Sequence, residues 1–202
     1  MSFHIVADSC CELTADMKKR ENIEIAPLTL EVGGESILDD ETFDQKYFLK
    51  RVAECPECPK SACPSPDYFR KSFLNGAERC YAVTLSAQLS GSYNSAVLGA
   101  NLAQEENEDL KIHVFNSRSA SIGETLIVKK IVECEEAGMS FERVVETVEL
   151  YISTQHTYFV LENLETLRKN GRLSKTKALV ASALKIKPVM GATSEGDIVQ
   201  LD

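Results

Sequence analysis

The chain has 202 residues, of which 44% are hydrophobic and 26% charged, and its net charge is −9. This length suits one large domain or two small ones with a substantial core, and the composition does not favour disorder. The negative charge argues against general nucleic-acid binding, which needs a surplus of lysine and arginine. No apolar run approaches the roughly 20 residues that a membrane-spanning helix requires.

The amino terminus, MSFHIVADSC, lacks a charged leader followed by an apolar core, so we expect no signal peptide and a cytoplasmic protein. The seven cysteines are scattered, which is typical of reduced thiols. Cys55, Cys58 and Cys63 include one C-x-x-C pair, but a closed zinc site needs four ligands and no second half-site follows. We therefore predict no metal site and no cofactor. The adjacent pair Cys10-Cys11 is either redox-active or simply buried.

Short β-branched runs alternate with longer helical patterns through most of the chain. Four runs predict strands of a covered parallel sheet: Phe3–Ala7, Ile23–Leu28, Tyr81–Leu85 and Lys111–Phe115. Apolar residues recur at three- and four-residue steps between Phe141 and Ile152, and Gly138 is placed to end the preceding helix. This alternation is the pattern of a three-layer α/β domain.

Two segments interrupt the alternation. Gly33-Gly34, between two extended runs, predicts a β-hairpin because paired glycines tolerate the positive φ of tight turns. The segment from Cys55 to Pro66 holds four prolines, which we expect to forbid regular structure and to form a stiff loop. Such a loop can line a ligand site, and an irregular connector is an equally good interpretation.

The last part of the chain has a different character. After residue 156, a strand, two helices and two further strands are predicted, with the second helix beginning at Ser174. We predict an α/β domain over residues 1–156 and an incomplete second α/β domain over 157–202. Seven lysines and arginines, with no acid, fall between Arg168 and Lys187. This run fits either contact with anionic lipid or a protein partner, or simply solvated lysines.

Ser90 and Gly91 lie where an apolar strand changes to a helical pattern, in the segment QLSGS. The chain has no G-x-G-x-x-G, P-loop or H-E-x-x-H motif, and QLSGS lacks the first glycine of the hydrolase elbow G-x-S-x-G. No histidine can be assigned as the base of a nucleophilic serine. Two roles remain for this helix start, capping of its amides and binding of an anion.

Six segments, in order over essentially the whole chain, resemble the DegV family of bacterial fatty-acid-binding proteins. The chain has IVADSCCEL where the family has an opening strand with an Asp-Ser turn, and PLTLEVGGESILDD where it has a Gly-Gly hairpin. KSACPSPDYF resembles the family's Thr-Ser-Gln-Pro-Ser loop, and LSGSYNSA its Leu-Ser-Gly-Thr-Tyr element. NSRSASIG and LRKNGRLSKTKALVASALKIKPV are similar to its Asp-Ser-Arg-Ser-Ala-Ser and Lys-Gly-Gly-Arg-Ile-Ser stretches.

The resemblance implies roles for individual residues. The family holds a lipid carboxylate between a hydroxyl of the proline-containing loop and the serine of the Ser-Gly element, which are Ser61 and Ser90 here. Gly91 would allow close approach of the anion, and Arg172 matches an arginine near the head group. Cys63 stands where the family has glutamine, which removes an amide contact there. A solvated cation at the end of a helix is the alternative role for Arg172.

The resemblance also implies a function. The chain would be a non-catalytic carrier that binds a long-chain fatty acid and presents its carboxylate to the catalytic subunit of a fatty acid kinase. Family members are usually about a third longer, so the expected second domain is incomplete. The alternative is an enzyme or binding protein for a small phosphorylated or carboxylated metabolite, and peripheral membrane contact is a third expectation.

Overall fold

The computed structural model describes residues 2–173 and 187–201. Four parallel strands form the central sheet in the order β2-β1-β6-β7. Their bounds are β1 Phe3–Asp8, β2 Ile23–Ala26, β6 Arg79–Thr84 and β7 Lys111–Asn116. The predicted parallel sheet is thus confirmed, with boundaries that differ from the predicted ones by up to two residues.

Helices cover both faces of this sheet, which explains why its strands are apolar on both sides. Alternate residues of β1 point to opposite faces: Ile5 packs against one pair of helices and Val6 against the other. The helices α2 Pro66–Phe73 and α3 Ser92–Glu106 lie on the Val6 face, while α4 Ile122–Glu136 and α5 Phe141–Thr154 lie on the Ile5 face. These three layers confirm the predicted α/β fold class.

A small antiparallel sheet adjoins the main one. Strands β3 Thr29–Val32 and β4 Glu35–Leu38 form the predicted hairpin, and Gly33 and Gly34 both have positive φ. Helix α1 Gln45–Glu54 follows the hairpin. The expectation that the proline-rich segment has no regular structure is wrong in part, because β5 Lys60–Ala62 pairs with β3. The three residues of β5 include no proline, so every backbone N–H that its pairing needs is present.

The last described part of the chain forms a third sheet, ordered β10-β9-β8. Its elements are β8 Tyr158–Phe159, α6 Glu165–Lys169, β9 Met190–Ala192 and β10 Ile198–Gln200. The helix predicted from Ser174 lies outside the described residues, and the domain boundary after residue 156 stays a prediction. None of the described helices is both long enough and apolar enough to cross a bilayer.

Candidate functional site

The carboxyl edge of the parallel sheet carries a concentration of polar side chains. Asp8, Thr84 and Ser86 lie at or just beyond the ends of β1 and β6, Ser117 follows β7, and all four are buried. Ligands of open α/β sheets bind outside the carboxyl ends of the strands. The segment that contains Ser90 begins at this edge, between β6 and α3.

The start of α3 has an incomplete set of hydrogen bonds. Ser90 Oγ accepts the Ser92 backbone N–H at 3.2 Å, and Gly91 occupies the N-cap position without a side chain to contribute. The amides of Tyr93 and Asn94 have no acceptor within residues 2–173 and 187–201. Free amides at the positive end of a helix dipole favour an anion. Capping and anion binding are therefore compatible roles for this helix start.

The proline-rich segment packs against the same helix start. A side chain on Gly91 would bring a Cβ within 3.2 Å of Cys63 Sγ, so the two segments are in direct contact. The Ser95 hydroxyl donates to the Pro64 carbonyl at 2.5 Å, which fixes the segment to α3. Ser61 lies in β5 and is exposed. Because β5 leads directly into this contact, Ser61 and Ser90 belong to neighbouring segments.

Arg172 joins this region from the far end of the described sequence. Its Nε donates to the Leu89 carbonyl at 3.2 Å, and its Nη1 donates to the Asn170 carbonyl at 2.5 Å. Asn170 in turn donates to the Pro59 carbonyl at 3.0 Å. The structure therefore brings together the segments of all four predicted residues, Ser61, Ser90, Gly91 and Arg172.

A cavity of about 600 Å³ opens beside Leu89. Its wall is largely apolar and comes from the residues around α4, β8, α6 and β10; the main apolar contributors are Leu89, Ile122, Leu126, Phe159, Leu161 and Ile198. Ile122 and Leu126 are 54% and 40% exposed, although they are large hydrophobic side chains. Exposed apolar side chains that surround a concave space are typical of a ligand groove.

A pair of fully buried carboxyl groups lies behind the helix start. Asp8 Oδ1 accepts the Cys10 N–H at 3.1 Å, and Oδ2 accepts the Leu85 N–H at 3.0 Å. Glu124 is also 0% exposed and forms a capping box with Ser121. Burial, together with the neighbouring Asp8 charge, raises the pKa of Glu124 well above its usual range. Burial also raises the pKa of Asp8, while the two amides that donate to it act in the opposite direction.

The two adjacent cysteines differ in exposure: Cys10 is partly buried and Cys11 is buried. Burial raises the pKa of Cys10 to about 12 and raises that of Cys11 further, so neither thiol is a reactive thiolate near neutral pH. Within the described ranges, the donor atoms close enough to share a metal ion are those of Asp8, Cys10 and Glu124. Asp8 already accepts two backbone amides and Glu124 accepts the Ser121 amide, so we describe this group as two buried carboxyl groups beside a thiol.

The basic run is only partly described. Lys175, Lys177 and Lys185 lie outside the described residues. Of the others, Arg168 and Lys169 pair with Glu165, and Lys187 pairs with Glu162. These acids lie just before the run in the sequence, so the local charge is smaller than the count of lysines and arginines indicates.

Comparison with known proteins identifies the family. The sequence model of the DegV family, described as "Uncharacterised protein, DegV family COG1307", matches residues 2–202. The chain belongs to the DegV family. A DegV domain-containing protein of Streptococcus pneumoniae is 37% identical over 200 residues, which are 98% of this chain and 71% of the relative.

Solved DegV structures share the fold. A Ruminococcus gnavus protein, whose structure is described with vaccenic acid, is 54% identical with a TM-score of 0.96, and the match covers 100% of this chain and 72% of that one. The Streptococcus pneumoniae fatty acid kinase (Fak) B3 protein, loaded with linoleic acid, is 36% identical with a TM-score of 0.91. That match covers 100% of this chain and 72% of Fak B3.

Proposed function

We propose that this DegV protein binds a long-chain fatty acid, with its carboxylate at Ser61, Ser90, Gly91 and Arg172 and its tail in the cavity beside Leu89. The observation that carries the proposal is the position of Leu89. Leu89 lines the cavity, its carbonyl accepts a hydrogen bond from Arg172, and it directly precedes Ser90 in the chain. An apolar groove thus begins one residue from an anion-binding helix start.

The tail supplies most of the binding free energy. Burying a methylene group contributes about 0.8 kcal/mol, so an acyl chain gains far more than one hydrogen bond does. The cavity volume of about 600 Å³ lies within the roughly 300–1,000 Å³ range of ligand pockets. A small phosphorylated metabolite would leave this apolar wall uncovered, which favours the lipid over the alternative ligand.

The carboxylate head group contributes less binding free energy than the tail, and hydrogen bonds fix its position. A carboxylate loses its hydrogen bonds to water on binding. The Ser90 hydroxyl, the free amides of Tyr93 and Asn94, and the Ser61 hydroxyl would replace them. Arg172 adds a positive charge whose guanidinium is already oriented by two carbonyls. These groups bind a carboxylate without providing a nucleophile or a base.

The DegV structures that resemble this chain support the assignment. The Ruminococcus gnavus relative is described with vaccenic acid and Fak B3 with linoleic acid. A Eubacterium eligens family member, 27% identical with a TM-score of 0.91, is described as loaded with heptadecanoic acid. Three relatives with different acyl chains share one fold with this protein, and the cavity described above is the apolar space that such a chain would need here.

Mass spectrometry tests the proposal without assuming the ligand. Protein purified without added lipid should carry fatty-acid adducts under native conditions, and organic extraction should release them. Delipidated protein should then bind vaccenic acid on titration. If the purified protein carries no adduct and the titration shows no binding, the proposal is wrong for this chain.

We further propose that the bound carboxylate is presented to the catalytic subunit of a fatty acid kinase. The likeness to Fak B3 supports this partner, as does the position of the anion site at an exposed edge that includes Ser61 and Arg172. Purified kinase subunit, ATP and vaccenate-loaded protein should together give acyl phosphate. Loaded protein that supports no phosphorylation, while Fak B3 does so in parallel, would contradict presentation but not lipid binding.

A further inference from the structure

Ser86 lies just beyond the end of β6, and its amide, carbonyl and hydroxyl groups all make hydrogen bonds. The carbonyl oxygen accepts the backbone amides of Leu89 at 2.9 Å and Ser90 at 3.2 Å, and the Ser86 amide donates to the Ser119 carbonyl at 2.8 Å. The hydroxyl donates to the Gly196 carbonyl at 2.8 Å. Ser86 is 0% exposed, so it acts through these neighbours and not on a ligand directly.

The hydrogen bonds of Ser86 lead to two different parts of the proposed ligand site. Leu89 and Ser90 belong to the segment that carries the head-group serine. The Gly196 carbonyl belongs to the turn between β9 and β10, and Gly196 and Ile198 both line the cavity proposed for the tail. Ser86 is therefore bonded both to the head-group segment and to the wall that the third sheet contributes.

The turn between β9 and β10 packs directly on Ser86. A Cβ on Gly196 would lie 2.2 Å from Ser86 Oγ and 2.9 Å from Arg118 Cα, and Gly196 also has a φ of +93°, so only glycine allows this approach. Across the contact, Arg118 has a φ of 52°, which is uncommon for a residue with a side chain, and its Nη1 donates to the Ser194 carbonyl at 3.4 Å. An unfavourable backbone conformation persists where surrounding contacts fix it, so the turn is held closely against the main sheet.

We propose that Ser86 is a positioning residue that fixes the head-group segment and the β9–β10 turn relative to each other, so that the carboxylate and the tail of one fatty acid are bound in a single register. This inference rests on the proposed function, because it concerns the two ends of the same ligand. The Ser86 backbone holds Leu89 and Ser90, whereas its hydroxyl holds Gly196. The other partner of the hydroxyl, the Gln88 amide at 3.3 Å, belongs to an exposed residue that water can reach.

The two functions of Ser86 can be separated by the length of the ligand. Loss of the hydroxyl leaves the backbone hydrogen bonds of the head-group segment in place and releases the turn that forms part of the tail wall. The binding free energy of an acyl chain grows with the length that is buried, so a displaced wall affects long chains most. A residue that only supports the head-group segment would instead change the affinity for acids of all lengths alike.

Titration of delipidated protein with vaccenic acid and decanoic acid tests this inference. Ser86→Ala should weaken vaccenic acid binding about fivefold and decanoic acid binding less than about twofold, because one neutral hydrogen bond to the tail wall is lost. Gly196→Ala, which pushes the turn away from Ser86, should show the same dependence on chain length. The double variant should bind no more weakly than Gly196→Ala, since both changes break one contact.

Gly76→Ala is the matched control for the glycine substitution. Gly76 has a φ of +92°, and a Cβ there would meet nothing within 4 Å. Gly76→Ala therefore carries the same backbone strain as Gly196→Ala without the steric contact, and it should bind both acids as the wild type does.

Three results would overturn the inference. Equal losses for both acids in folded Ser86→Ala would mean that Ser86 only supports the head-group segment. Unchanged vaccenic acid binding in that variant, or losses that add in the double variant, would mean that Ser86 and Gly196 do not act as one contact. If Ser86→Ala does not fold, Ser86→Cys, which has a similar size but a weak S–H donor, is measured in its place against the same expectations. Failure of the wild type to bind either acid would overturn the proposed function and this inference with it.

Discussion

Ser90 combines a half-buried hydroxyl with a place directly before the N-cap residue of α3. Ser90→Ala should weaken vaccenic acid binding by about tenfold, because a hydrogen bond to a charged group contributes about 1.5 kcal/mol. Fluorescence displacement measures the change. The unfolding temperature should also fall, since the amide of the buried Ser92 loses the Ser90 hydroxyl as its acceptor, so binding is compared on protein that circular dichroism shows to be folded.

Ser36→Ala is the matched control for this substitution, because it removes an exposed hydroxyl that lies in β4, away from the start of α3. Equal losses of affinity in the two variants would mean that the assay responds to a general change in the protein. Unchanged affinity in Ser90→Ala would remove Ser90 from the head-group site.

The buried Glu124 makes the stability of the protein depend on pH. Its folded pKa is raised by burial and by Asp8, so Glu124 makes folding less favourable as the pH rises above its unfolded pKa. The contribution of Glu124 to the free energy of unfolding is therefore most favourable below the unfolded pKa of about 4.3. This contribution is lost as the pH rises through the folded pKa. Glu124→Gln removes this cost and keeps the acceptor for the Ser121 amide.

We therefore expect Glu124→Gln to raise the free energy of unfolding at neutral pH and to lose this advantage near pH 4. Urea unfolding at both pH values measures the difference. A variant that is less stable at neutral pH, or equally stabilised at both, would show that the pKa of Glu124 is not raised in the folded protein.

At the residue scale, the Ser90 hydroxyl could be predicted from the sequence, whereas the buried carboxyl groups of Asp8 and Glu124 could not. Ser90 was visible because it stands at a change of periodicity, and the Ser121-x-x-Glu124 spacing of a capping box was also readable. Asp8 and Glu124 are far apart in sequence, and nothing local indicates that both are buried.

At the scale of elements, the close approach of α2 and α3 positions the proline-rich segment. A Cβ on Gly99 would lie 2.6 Å from the Pro66 carbonyl oxygen and 2.7 Å from Phe69 Cβ. Gly99→Ala should therefore cost about 1–3 kcal/mol of unfolding free energy through overpacking. This loss outweighs the gain of about 1 kcal/mol that alanine brings to a helix interior.

Leu98→Ala is the control in the same helix, because Leu98 is 49% exposed and its substitution does not affect the contact between Gly99 and α2. Its effect on the free energy of unfolding should stay within about 0.5 kcal/mol. Urea unfolding of both variants measures the pair. A stable Gly99→Ala protein would show that the two helices can separate without loss, and would weaken the argument that α3 fixes the position of Cys63 and Pro64.

Elements with a strong hydrophobic or turn pattern could be predicted from the sequence, whereas an element that depends on pairing with a distant strand could not. The parallel strands, the Gly33-Gly34 hairpin and α5 follow from composition and periodicity. Strand β5 did not, because four prolines outweighed a three-residue run whose only support is its pairing with β3. Its existence matters, since β5 carries Ser61.

At the scale of the whole molecule, the cavity joins segments that no local pattern relates. Leu89, Ile122, Phe159 and Ile198 come from four separate elements or connections. The resemblance to the DegV family predicted a lipid, whereas the wall that would cover its tail emerged only when the chain was folded. The volume that this wall encloses limits the length of acyl chain that can be buried.

A series of saturated fatty acids should show affinity that rises with chain length and then levels off. Each added methylene contributes about 0.8 kcal/mol while it is buried, which is roughly a fourfold gain in affinity. The rise should stop when the cavity of about 600 Å³ is filled and further carbons reach solvent. Leu126→Asp, which places a charge in the wall, should weaken long acids strongly and short acids little. Calorimetry across the series measures both effects, and an affinity that ignores chain length would remove the tail from this cavity.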